Sequence, residues 1–173
     1  MTIGGPDTLA VWRFDSPEIA EFVVPCLEGL ARDGEIEVED AALVVWPPRH
    51  RKPRTRVLGA LNGPGHLWGG FWGVLLALIF LTPIAGPRFG AAAGAVAGTL
   101  ADFGVADDFV KCVRDTVTPG TSAVFVLGGR TCPDRISVAL ADIPASVIRA
   151  DLSDEQTRNL RDALGDESVQ RLG

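Results

Sequence analysis

Apolar and polar positions along this chain change period several times, and each change marks an element. Residues 8–14 (TLAVWRF) are a β-rich run that ends at Asp15, Ser16, Pro17 and Glu18. There Asp15 or Ser16 can cap a helix and Pro17 suits its first turn. The helix places Ile19, Phe22, Val23, Cys26, Leu27 and Leu30 three and four apart as an apolar stripe, and Gly34 follows as its stop. Pro25 lies inside and is expected to kink it. Residues 36–46 alternate acidic and apolar positions, then turn wholly apolar, which predicts a strand passing from an exposed to a buried position.

Beyond residue 100 the short periods return. Residues 106–117 predict an amphipathic helix with Phe109, Val110, Val113 and Val117 inward, stopped at Thr118, Pro119 and Gly120. Residues 122–127 predict a strand, 133–141 a helix, and 146–150 another strand. Residues 153–156 (SDEQ) form a capping box for a last helix. With residues 48–120 set aside the order is βαββαβ. The expected fold is therefore α+β: a ferredoxin-like domain made of residues 1–48 and 121–173. Into it are inserted a basic segment and glycine-rich hydrophobic helical hairpin (49–104), between strands 2 and 3, and a connecting amphipathic helix (105–120). Sheets of this kind keep helices on one face and leave the other needing cover, often by dimerisation.

The inserted stretch is a different material. Between Val57 and Ala101 the sole formally charged residue is Arg88. A helix over residues 65–82 would span roughly 27 Å at about 1.5 Å per residue, near the roughly 30 Å of a bilayer core. Gly65, Gly69 and Gly73 recur every fourth residue along it, and after a turn at residues 83–87 Gly86, Gly90, Gly94 and Gly98 do the same in a second helix that runs to Ala101. Each series would present a groove of bare backbone to another helix. Glycine costs about 1 kcal/mol relative to alanine in a water-exposed helix, so such helices need lipid or tight protein packing around them. These features predict a hairpin that enters or lies against a membrane.

Charge supports the same expectation. The 173 residues carry a net charge of −6, yet Arg49, Arg51, Lys52, Arg54 and Arg56 stand together with no acid nearby. Beside a membrane segment such a run contacts anionic lipid and marks the cytoplasmic side. Trp68 and Trp72 would sit at the same interface, and Arg88 would snorkel at the far turn. The chain's start lacks a basic region followed by an apolar one, so both ends are expected in the cytoplasm. No nucleic-acid partner is expected, because no aromatic residues interleave the basic run and the rest of the chain is acidic.

Candidate chemistry is sparse. Cys26, Cys112 and Cys132 are an odd, widely spaced set that fits neither a disulfide framework nor a zinc site. His50 and His66 have no neighbouring Cys or carboxylate at ligand spacing, and Gly128, Gly129 and Arg130 lack the rest of a phosphate loop. Glu35, Glu37, Glu39 and Asp40 read as the solvated side of a strand rather than a cation site.

Several segments together resemble a known family. They are residues 11–15 (VWRFD), 40–46 (DAALVVW), the basic run, 98–104 (GTLADFG), 107–111 (DDFVK) and 118–123 (TPGTSA). They are similar to the DUF1269 family of bacterial and archaeal predicted membrane proteins, a family of unknown function. The resemblance implies a ferredoxin-like domain with a glycine-rich membrane-type insertion, and no catalytic residues or cofactor.

The function expected is that of a non-enzymatic homo-oligomer at the cell membrane, without metal or cofactor, with a structural, stress-related or regulatory role. Two rivals remain: an oligomeric pore, and a soluble homo-oligomer that buries its hairpins and binds a hydrophobic ligand or cargo.

Overall fold

In the computed structural model, residues 8–58, 72, 75–81, 107–129 and 131–151 are described. They form an α+β structure built on one antiparallel sheet of five strands. The elements are β1 (Thr8–Phe14), α1 (Ile19–Arg32), β2 (Val38–Trp46), β3 (Arg54–Val57), a π-helical segment (Ala77–Leu81), α2 (Asp107–Thr116), β4 (Thr121–Gly128), α3 (Cys132–Ala139) and β5 (Ser146–Asp151). The strand order across the sheet is β3-β2-β4-β1-β5.

The helix and strand spans agree closely with the hydrophobic pattern, and two glycine signals act as the chain chemistry requires. After α1, Gly34 takes a left-handed φ of 77°. Its N–H donates to Ala31 O, and the Glu35 N–H donates to Leu30 O, the pair of reversed bonds that closes a Schellman cap. Before β4, Gly120 has φ 89° and donates its N–H to Trp46 O at 2.7 Å, so the turn is tied to the neighbouring strand. The Thr121 hydroxyl donates to Thr118 O at 2.6 Å and accepts from the Thr118 N–H.

Three details depart from expectation. The strand β3 lies in the basic segment, which was not expected to form one. Arg54 pairs with Val45 and Arg56 with Leu43, and all four β3 residues are exposed. A register shift between Val38 and Asp40 breaks the expected alternation of Glu35, Glu37, Glu39 and Asp40: Asp40 is buried, its Oδ1 accepting from the Ala41 N–H at 2.8 Å. Helix α1 runs unbroken through Pro25 but is rotated from the expected stripe. Ala20, Val23, Val24, Leu27 and Ala31 are buried, while Phe22 is 78% exposed and Cys26 is exposed. Small side chains at positions 20 and 31 let the helix approach the sheet closely, and the bulkier Phe22 is left outside.

Both faces of the sheet are covered. On one, Ala10, Trp12 and Phe14 of β1, Leu43 of β2 and Val124 and Val126 of β4 pack beneath α1 and α3. On the other, Leu9, Val11, Ala42, Val44, Phe125 and Leu127 pack against α2 and against Trp72, Leu75, Leu76, Leu78, Ile79 and Phe80. This is why β4 is buried at every position and reads as a continuous apolar run.

That second layer corrects the membrane reading. Among the described residues no helix is long and apolar enough to cross a membrane, and the described part of the apolar stretch is spent on covering the sheet. Each large side chain buried there is worth about 1.5–3 kcal/mol, from the same hydrophobic transfer that lipid would have provided. The expected localisation at the cell membrane, with cytoplasmic ends, loses its basis with it. Gly65, Gly69, Gly73, Gly86, Gly90, Gly94 and Gly98, with Trp68, His66, Arg88 and the last helix, lie outside the described residues, and a zipper packing in lipid is withdrawn.

Candidate functional site

Two regions carry the polar and apolar features that packing alone does not use up. The first is the junction between the apolar segment and α2. Trp72 meets Phe125 edge-on, with ring centroids 6.2 Å apart, and Trp46 meets Phe80 edge-on at 5.8 Å, the favoured aromatic geometry. The tryptophan expected at a lipid interface is thus fully buried under β4. Across this layer Arg114 of α2 donates from Nε to Ile79 O at 3.1 Å and from a terminal nitrogen to Leu78 O at 2.8 Å. A planar guanidinium suits two adjacent carbonyls because its donors form a fixed fork. The π turn presents both carbonyls to it, so Arg114 clamps the segment to α2.

Other polar side chains tie the helices to the sheet. The buried Ser122 hydroxyl accepts from the Ala20 N–H at 3.1 Å and donates to Ser16 O at 2.6 Å, which fixes the start of α1 on β4. Arg13 donates to Thr116 O at 3.1 Å and pairs with Asp15, joining the end of α2 to β1. The Trp12 indole N–H donates to the Ser137 hydroxyl of α3. Sequence reasoning missed the roles of Arg13 and Arg114. Each arginine sits beside an apolar stripe, but its partner is a distant backbone carbonyl that no spacing reveals.

The second region is the arm formed by the end of β2, the turn at 47–53 and β3. Arg49, Arg51, Lys52, Arg54 and Arg56 are all exposed. The arm is held in place by the Trp46 indole N–H donating to His50 O at 2.8 Å and by the His50 N–H donating to Pro47 O. None of the five cations forms an ion pair with a described residue. They were expected to contact lipid beside a membrane segment, and among the described residues no helix is long and apolar enough to be one.

The cysteines lie apart, Cys26 and Cys112 exposed and Cys132 buried. Burial, and secondarily the negative charge of Glu37, pushes the Cys132 thiol up to about 12, so it stays protonated and unreactive at neutral pH. Among the described residues no group of His, Cys, Asp and Glu could hold a metal ion.

No curated protein and no solved structure matches the chain. One family model does, over residues 66–165. The match takes in the apolar stretch from residue 66 onward, α2, β4, α3 and β5, and leaves β1, α1, β2, the basic arm and the motifs at 11–15 and 40–46 outside it. It spans more than half of the chain, and the chain accordingly belongs to the family described as a protein of unknown function, DUF1269.

Proposed function

We propose that this protein is a non-enzymatic homo-oligomer that keeps its apolar segment inside protein and receives a hydrophobic ligand or cargo. The observation that carries the reading is the burial of Trp72, Leu75, Leu78, Ile79 and Phe80 in one core with both sheet edges' neighbours, β1 and β2, and the central β4. An apolar stretch used as the sheet's second cover has no need of lipid at those positions. The sequence from residue 82 to 101 is equally poor in charge, and the same hydrophobic transfer favours its burial against a second copy or an apolar guest.

The finer fold is part of the proposal. With the peripheral β3 set aside, the order β2-β4-β1-β5 is that of a split βαβ, ferredoxin-like sheet, with the apolar segment inserted after the arm. The antiparallel pairing of β1 with both β4 and β5 supports it, as does the placement of α1 and α3 against one face.

Detergent-free purification followed by light scattering and Nile red titration tests the function. The expected result is a particle of a whole-number multiple, two or more, of 18.3 kDa that enhances the dye's fluorescence saturably. Extraction only with detergent, or a monomer that leaves the dye dark, overturns the reading.

A further inference from the structure

The arm and α1 carry complementary features that no described residue of the same chain satisfies. Along the outside of α1, Phe22, Pro25 and Cys26 stand exposed on successive turns, and beyond them Gly29 has open space where a Cβ would be. This is a second apolar stripe, at i, i+3, i+4 and i+7, on a helix whose opposite side already faces the core. Exposed Glu18, Glu21 and Glu28 run along its flank, and Asp33, Glu35 and Glu37 follow at its end; the single cation on the helix is Arg32. The arm is the converse: five exposed cations with no acid among them, interleaved with Pro48 and Pro53.

We propose that the acid-flanked apolar stripe of α1 receives the basic β2–β3 arm of a second copy of this chain. The inference rests on the self-association proposed above and identifies its interface. Charge complementarity selects the partner. The acid-flanked α1 of a second copy offers the five exposed cations of the arm an array of exposed carboxylates, and that local attraction acts over distances comparable with the Debye length. Both halves of the contact lie on every copy, so a two-fold dimer makes it twice. The arm is already ordered by its pairing to β2 and by the Trp46–His50 bond, so docking it requires little further loss of freedom.

Charge swapping tests this on the full chain by sedimentation equilibrium. One variant carries Arg54→Glu and Arg56→Glu; the other carries Glu21→Arg and Glu28→Arg. Each alone is expected to weaken self-association at least tenfold. Mixed one to one they are expected to associate again, because the acidic arm of the first variant meets the basic helix of the second in one contact and the unchanged basic arm of the second meets the unchanged acidic helix of the first in the other. Wild-type association is expected to weaken between 50 and 500 mM NaCl. Alkylation of Cys26 is expected to slow on assembly relative to Cys112, which is also exposed, and Phe22→Ser is expected to abolish that protection. If the wild type assembles but neither reversal shifts it threefold, the interface is wrong while self-association stands. A wild type that stays monomeric at 100 μM overturns both readings. The interface is also overturned if the arm binds duplex DNA and the wild type does not self-associate.

Discussion

Arg114→Leu probes the junction on which the fold of the apolar segment depends. The substitution removes two hydrogen bonds from a charged donor to Leu78 O and Ile79 O while keeping most of the side chain's apolar stem. Hydrogen bonds involving a charged group contribute about 1.5–3 kcal/mol each in net terms. Arg114 is half-buried, so the lower part of that range applies, and the expected loss is about 3–4 kcal/mol, a large share of the roughly 5–15 kcal/mol typical of a domain. Arg114→Lys keeps the charge but not the fork and is expected to recover about half of the loss. Urea unfolding followed by tryptophan emission measures both variants, since Trp46 and Trp72 lie in the layer the clamp holds. Hydrogen exchange locates the effect: amides of residues 77–81 should gain exchange before those of β4. A destabilisation by Arg114→Leu of less than about 0.5 kcal/mol, or a loss spread evenly over the sheet, refutes the clamp.

Phe80→Ala leaves a void in the buried layer and removes the edge-on contact with Trp46, and an unfolding free energy lowered by about 3–5 kcal/mol is expected; a side chain facing outward would cost almost nothing. Gly128→Ala places a Cβ 2.5 Å from Glu37 O, whereas Gly129→Ala meets nothing within 4 Å. The first should destabilise by about 1–3 kcal/mol and the second should be near neutral in the same denaturant titration. The buried Cys132 thiol, raised to about 12, keeps its proton in the folded state after the unfolded chain has lost it near about 8.5. Stability should therefore fall as pH rises through that window, by at most about 1.4 kcal/mol per pH unit, and Cys132→Ala should flatten the slope between pH 8 and 10.5.

Local chemistry was legible in the linear chain wherever a residue's role depends on its immediate neighbours. Gly34 closes α1 and Gly120 turns into β4 because both need a left-handed backbone that other residues avoid. The inward face of α2 followed from its spacing, since Phe109, Val110, Val113 and Val117 had no competing stripe. Helix α1 has two apolar stripes, and the one in the sequence that includes Phe22 and Cys26 is as regular as the one the sheet accepts. Only the close fit of Ala20 and Ala31 on the strands decides between them. The candidate site was legible as composition: the cluster of five cations was plain, but the strand that orders two of them depends on pairing with Leu43 and Val45.

The sequence by itself marked residues 57–101, with one charged side chain among them, as a stretch that favours burial over contact with water. Tertiary structure decided where the described part of it went. The hydrophobic effect scales with area and has no direction, so Trp72, Ile79 and Phe80 gain as much beneath β4 as they would in a bilayer. The open face of the antiparallel sheet, assembled from strands more than a hundred residues apart, was the surface at hand.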